Sequence, residues 1–342
     1  MVVVHPERFV WDSWYVYDKD TRIFHVFYLN AERSPPGTEQ HHENAMVGYG
    51  KTMDFRSIDF VNDAVLAARF NEWDNTSIWT SDTIQVAGGA ALKFYTSRTA
   101  ELDDGLTQQI GLAYSFDYEH WTRVPAFRVT TDATHFEPRS VFGEQSPHAW
   151  RDPFLFMDQG RPYMLLAAKS KHEPIHRKGA IALLRATSAD SLADWEVVGE
   201  GYHSGTCGEI EVPQLYINSE DEYELLYSCH PQYDFGTATN GYGGFQAVKL
   251  GKVEEGIEAL FAKQERHEAV VLLREGPTYA CRVIPELHGL IVGFDIDSKV
   301  DGRKIGGFVN TGLYLPFLES CDRDFSAFSI PGGEQPSLRP AA

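Results

Sequence analysis

Along this chain apolar and polar positions alternate with the two-residue period of a strand far more often than with the period of a helix. Five short runs rich in β-branched and aromatic residues stand out: "IFHVFYLN" (23–30), "ALKFYTSR" (91–98), "PYMLLAAK" (162–169), "YELLYSCH" (223–230) and "GLIVGFDI" (289–296). Each is followed by a polar loop and a second run with small residues: "MVGYGKT", "IGLAYSF", "GAIALLRAT", "GGFQAVKL" and "GGFVNTGL". With Tyr28, Tyr95, Leu166, Tyr227 and Phe294 taken as equivalent, the spacings are 67, 71, 61 and 67 residues. A unit of that length holds four short strands, and five units fill residues 1–342. The pattern therefore predicts an all-β, five-bladed β-propeller forming a single domain. The main exception is "DFVNDAVLAARF" (59–70), which has helical periodicity. In the first three units the second run leads into an aspartate turn, at Asp54, Asp117 and Asp190.

One hairpin upstream of each anchor lies a distinctive residue: Asp12, Trp79, Asp152, Glu211 and Tyr279. Innermost propeller strands line the central channel, so these five positions should converge at one mouth. Antiparallel pairing sets the start of a first strand beside the end of the second. The loops 30–45, 97–109, 169–179 and 229–243 should then rim that mouth. An aspartate set between two tryptophans, as in "VWDSWYVYD" (10–18), loses solvation and needs compensation or a chemical role. Three carboxyl groups facing one another raise one another's pKa, an arrangement more common in functional pockets than in structural cores.

Composition narrows the ligand. The net charge is −19, from 30 Lys+Arg against 49 Asp+Glu, and no basic stripe offers a footprint for nucleic acid. The acidic surface also disfavours anionic membranes and polyanions, leaving a small neutral molecule as the expected partner. Cys207, Cys229, Cys281 and Cys321 are far apart and form no CxxC pair, which fits free thiols in a reducing compartment. The N-terminal segment lacks the pattern of a secretory leader, and no apolar run reaches the length of a membrane span. A cytoplasmic protein without a cofactor is expected; the oligomeric state is left open.

Three carboxyl groups without a Cys–His cluster point to cleavage of glycosidic bonds. That reaction uses a proton donor at the leaving oxygen and a carboxylate at the anomeric carbon or its attacking water. Trp11, Trp14, Trp79 and Tyr279 offer faces on which a sugar can stack. Arg151 is placed to hold Asp152 ionised and to donate to a sugar hydroxyl. Pro153 denies Asp152 the helical region.

"WDSW", "WRDP" and "EIEVPQ", in this order and spacing, resemble the three acidic motifs of levansucrases and invertases, five-bladed glycoside hydrolases that act on β-fructosides. The resemblance implies that Asp12 is the nucleophile of a retaining mechanism, that Asp152 stabilises the transition state through sugar hydroxyls, and that Glu211 is the acid/base. "WTS" resembles the Trp-Ser-Gly segment of these families, placing Trp79 at the sugar and Thr80 near the nucleophile. The chain departs from the invertase Asn-Asp-Pro-Asn signature and lacks the arginine that follows the levansucrase glutamate. Two other readings stay open: an inverting arabinofuranosidase or xylosidase, and a propeller that binds sugar without cleaving it.

Further residues are expected near the pocket. Glu209 either binds a hydroxyl or tunes Glu211, or is a salt-bridged structural residue. His41 and His42 lie on the first rim loop, and His148 lies four residues before Asp152. His172, His176 and His230 occupy other rim loops, but their spacing supports no metal site, and none is expected.

Overall fold

In the computed structural model, residues 1–332 are described except 39, 101–104, 139–147, 237–243, 264–268 and 274–277. Parts of the expected rim loops 97–109 and 229–243 therefore lie outside the described residues.

Among the described residues five antiparallel sheets form the blades, with innermost strands Arg8–Asp18, Ile78–Gln85, Trp150–Asp158, Glu211–Ile217 and Thr278–Ile284, and Lys299–Val300 pairs with Arg303–Lys304 in a separate two-stranded ribbon. The first-blade order is Arg8–Asp18, Ile23–Glu32, Met46–Thr52, Asp59–Leu66, and the next three blades repeat it. The fifth blade takes its outermost strand from the other end of the chain, where Val2–Val3 pairs with Phe308 and Val309. This pairing ties the last blade to the segment leading into the first.

Successive blades enclose their own apolar layers. Trp14, Phe27, Ile78 and Tyr95 pack between blades 1 and 2. Phe94, Leu112, Trp150 and Leu166 fill the next interface, and Phe156, Leu183, Leu215 and Tyr227 the third. Leu226, Phe245, Val283 and Ile291 join blades 4 and 5, while Val26, Tyr28, Val292 and Phe308 close the ring. Each such buried side chain contributes about 1.5–3 kcal/mol relative to exposure. The small residues of the third strands have a packing reason. A Cβ at Gly48 or Gly111 would collide with the anchor ring of Tyr28 or Tyr95 on the adjacent strand.

Two expectations are corrected here. Residues 59–66 are a strand, not a helix. They form the outer edge of blade 1, paired to Met46–Thr52, so sheet pairing decides their conformation and the helical spacing of their apolar residues does not. The fifth anchor is also offset by one. Tyr279 pairs with Phe294, so the residue equivalent to Tyr28 is Gly293.

Candidate active site

All five innermost strands carry a β-bulge at the same level. The register shifts fall between Trp11 and Ser13, Trp79 and Ser81, Arg151 and Phe154, Glu211 and Gln214, and Tyr279 and Arg282. A bulge inserts one residue into the alternation and re-aims the side chains around it. It follows that Asp12, Thr80 and Asp152 occupy the bulge, whereas Trp79, Glu211 and Tyr279 precede it. The five residues read from the sequence as one phase thus belong to two adjacent phases. In blades 3, 4 and 5 the bulged Asp152, Val212 and Ala280 have φ of 59°, 52° and 47°. Left-handed backbone at a β-branched valine is costly, and three such residues around one level mark a strained rim. Asp152 thus leaves the extended conformation that Pro153 favours.

The carboxyl groups do meet. Thr80 Oγ1 donates to Asp12 Oδ2 at 2.5 Å. Burial raises the Asp12 pKa to about 6; the Thr80 hydrogen bond opposes this, the Glu211 charge adds to it and Arg282 opposes it. Asp152, only 4% exposed, accepts from the Val212 amide at 3.0 Å, and its own amide donates to Thr96 Oγ1 at 3.1 Å. Burial raises Asp152 to about 7, more than Arg151 can offset, and the charges of Asp12 and Glu211 raise it further. This corrects the expectation that Arg151 keeps Asp152 ionised. The guanidinium Nε lies 3.7 Å from Asp152, while Nη2 bonds Glu209 and reaches Glu211 Oε1 at 2.8 Å.

The Glu211 side chain is 28% exposed, against 4% for Asp152, and it receives the Tyr279 hydroxyl on its other oxygen. Burial and the adjacent Glu211 push the Tyr279 pKa up, so it remains a hydrogen-bond donor. Glu209 lies in the loop before the strand that begins at Glu211. Burial would raise its pKa, but Arg151 and Lys169, whose Nζ is 3.0 Å away, outweigh burial and hold it low. Of the two roles open to Glu209, the geometry shows the salt-bridged one.

The aromatic residues separate. Trp79 stands at the mouth, donating to the His42 carbonyl at 2.9 Å, with the Arg98 guanidinium 4.9 Å from its ring centroid. Trp11 is boxed by Phe9, His41 and His42 at centroid distances of 5.0, 5.3 and 6.1 Å. His41 packs behind the rim on Phe9, while His42 reaches Trp79 at 5.4 Å. Trp14 offers no face to a sugar. It is 1% exposed, its Nε1 donates to Thr83 Oγ1 at 3.0 Å, and Lys93 lies over its ring. It sits on the far side of the bulge, where alternation turns it between blades. His148 is likewise structural. It is fully buried, with Nδ1 accepting from the Gln108 amide and Nε2 2.8 Å from the Thr131 hydroxyl.

Sequence reasoning passed over two cations of the site. Lys169 closes the strand that carries the third anchor. Arg282 donates to the Ser13 carbonyl at 2.5 Å, directly after Asp12. A cation at the inner end of an otherwise apolar strand is the signal that could have found Lys169. The trio His172, His176 and His230 is not gathered: His176 packs on Phe235 and His230 on Tyr279.

The fold is shared with solved structures. The chain is similar to Bacillus subtilis levansucrase, with 13% identity and a TM-score of 0.62 over 89% of this chain and 83% of that one. It is also similar to the catalytic domain of Microbacterium saccharophilum K-1 beta-fructofuranosidase, with 14% identity and a TM-score of 0.62 over 96% and 87% of the two chains. A sucrose-6-phosphate hydrolase from Lactobacillus gasseri gives 15% identity and a TM-score of 0.65 over 90% of this chain and 59% of that one. No curated protein sequence matches the chain. Residues 16–255, more than two thirds of the chain, match the family model for the glycosyl hydrolases family 32 N-terminal domain, a span that includes Asp152 and Glu211 and starts just after Asp12. With carboxyl groups gathered at the mouth of a five-bladed channel, the chain belongs to glycosyl hydrolase family 32 and is a glycoside hydrolase.

Proposed function

We propose that the protein cleaves a small β-fructofuranoside with retention, Asp12 attacking the anomeric carbon and Glu211 protonating the leaving oxygen. The observation that carries this reading is the pairing of Asp12 and Glu211 across one mouth, close enough for the charge of Glu211 to raise the pKa of Asp12. A nucleophile with a pKa of about 6 is mostly ionised at neutral pH. Its hydrogen bond from Thr80 fixes which carboxylate oxygen points at the sugar.

Asp12, Asp152, Glu209 and Glu211 face Arg151 and Lys169, with Arg282 reaching in beside Asp12. The carboxyl groups outnumber these cations, so the cluster favours retention of a proton at neutral pH. Glu211 is more open than Asp152 and is where a leaving group would arrive. Glu209 takes up the charge of Lys169 and shares that of Arg151 with Glu211. Asp152, held by the Val212 amide, is placed to bind sugar hydroxyls. After the first step Glu211 would take a proton from water as water attacks the fructosyl ester. A second sugar in place of water would give transfer.

The known activities carried by the names of the similar structures, on sucrose 6-phosphate and β-fructofuranosides, support the substrate class. The five blades are proposed to act as one catalytic unit over residues 1–342. The four buried free thiols fit a cytoplasmic setting, and no helix among the described residues is long and apolar enough to cross a membrane. The test is sugar release by wild type and Asp12→Asn from sucrose, short fructans, and nitrophenyl arabinofuranosides and xylosides. Fructose release lost on substitution supports the reading. Pentose release, or fructose release that survives Asp12→Asn, contradicts it.

A further inference from the structure

Away from the carboxyl cluster, the outer flank of blade 3 gathers His135, His172 and Glu200, with one ligand atom from each lying within 4.8 Å of the others. They come from three separate stretches. His135 precedes the bridge between Phe136 and Ser170, His172 lies on the loop after the second strand of blade 3, and Glu200 links Ser191–Val197 to Tyr202–His203. We propose that these three side chains form a zinc-type divalent-cation site that fastens the blade-3 rim loop to the body of the propeller.

Four observations carry the assignment. Two imidazoles and one carboxylate are a borderline donor set suited to Zn²⁺, with a fourth position for water, and they offer too few oxygens for Ca²⁺ or Mg²⁺. A tetrahedral ion with bonds of about 2.0–2.2 Å needs its donors about 3.4 Å apart. Closing from 4.8 Å takes a rotamer adjustment, and His172, which is exposed, is free to make it. His135 keeps a ring nitrogen, Nδ1, buried with no hydrogen-bond partner, so its ring has polar capacity that the protein leaves unfilled. Finally, the backbones of two ligand segments are already held together. The Lys171 amide donates to the His135 carbonyl at 2.9 Å, the Glu137 amide to the Lys169 carbonyl at 2.8 Å, and Lys171 Nζ to the Ala133 carbonyl at 2.7 Å. The ion would therefore bind donors that are largely in place, and it would add a third stretch to the same anchor.

The loop that carries His172 also follows Lys169, the partner of Glu209. An ion here would stiffen the rim on the side of the mouth nearest that ion pair, without touching a reacting group.

The test uses tag-free, metal-stripped full-length protein titrated with ZnCl₂ by calorimetry, and with CoCl₂ by visible absorption. One ion per chain is expected, with tetrahedral Co²⁺ bands and a rise in Tm of about 3–6 °C at saturating Zn²⁺. His172→Ala and Glu200→Gln change partly exposed side chains, so both variants should fold, which circular dichroism checks. Each should weaken Zn²⁺ binding at least tenfold, while CaCl₂ and MgCl₂ should give no saturable binding. The proposal is overturned by absence of Zn²⁺ binding at micromolar concentrations. It is equally overturned by binding that both substitutions leave unchanged, which would place the ion elsewhere, for example at His41 and His42.

Discussion

The two ends of the central channel bury the same kind of residue and treat it in opposite ways. At the mouth, Asp12 and Asp152 are raised to about 6 and 7, with burial as the main cause. Toward the other end, on the same innermost strand as Thr80, Asp82 is buried yet fully partnered. Arg323 donates to both of its oxygens at 2.8 and 3.0 Å, and the amides of Thr83 and Leu155 add bonds of 2.9 and 2.8 Å. Trp14, Thr83, Arg282 and Arg323 line a cavity there of about 820 Å³. The distinction is electrostatic. A buried aspartate with matched partners is structural, whereas one left short of positive charge is costly to keep and available for chemistry.

The largest effect should come from the mouth. Asp12→Asn and Glu211→Gln should each lower kcat by at least ~10²–10⁴-fold while the proteins stay folded, as steady-state kinetics on a fructofuranoside will report. At the opposite end the cost should fall on stability. Arg323→Met strands Asp82 and should destabilise by about 3 kcal/mol in urea unfolding, near the low end for a broken buried pair because the guanidinium is one quarter exposed. Activity of its folded fraction should survive. If Arg323→Met abolished turnover without loss of stability, the contrast would fail.

Asp152→Asn sharpens the comparison through pH. The folded-state pKa of Asp152 lies above its ordinary value of 3.8, at about 7. Its favourable contribution is therefore fully present below about pH 4 and is lost as pH rises through 7. The substitution removes that loss, and asparagine tolerates the left-handed backbone at this position. Asp152→Asn should thus be more stable than wild type at pH 8, by on the order of 2–4 kcal/mol, with the gap closing near pH 4. A uniform loss of stability across that range would contradict the assignment. Tyr279→Phe, which removes a donor to Glu211, should cost about tenfold in kcat/KM. The smallest effect belongs to Thr80→Val. Losing its hydrogen bond raises the Asp12 pKa, so the acid limb of kcat/KM should move upward from about pH 6.

The blade frame was legible because strand alternation and the anchor spacing repeat, and Tyr28 and Tyr95 do pack on small residues of the next strand. The three acidic motifs also converge at one mouth, although Glu211 stands one position before the phase of Asp12 and Asp152. What the sequence could not reveal was the bulge. One inserted residue per innermost strand shifts the alternation, which is why Trp14, two residues after Asp12, turns between blades. His148 shows the other limit. Its closeness to Asp152 in sequence suggested the pocket, but its ring nitrogens are engaged by Leu106, Gln108 and Thr131 of neighbouring segments. The burial that raises Asp152 against Arg151 depends on the whole ring of blades, and no local pattern encodes it.

The central claim, that the underpartnered Asp12 is the reacting group, is tested most directly by trapping. Glu211→Gln would be incubated with a fructofuranoside bearing a good leaving group, and its intact mass and peptides measured. The account predicts a stable adduct of one fructosyl unit on the peptide that contains Asp12. Steady release of fructose without any adduct on that peptide, or an adduct elsewhere, would contradict it.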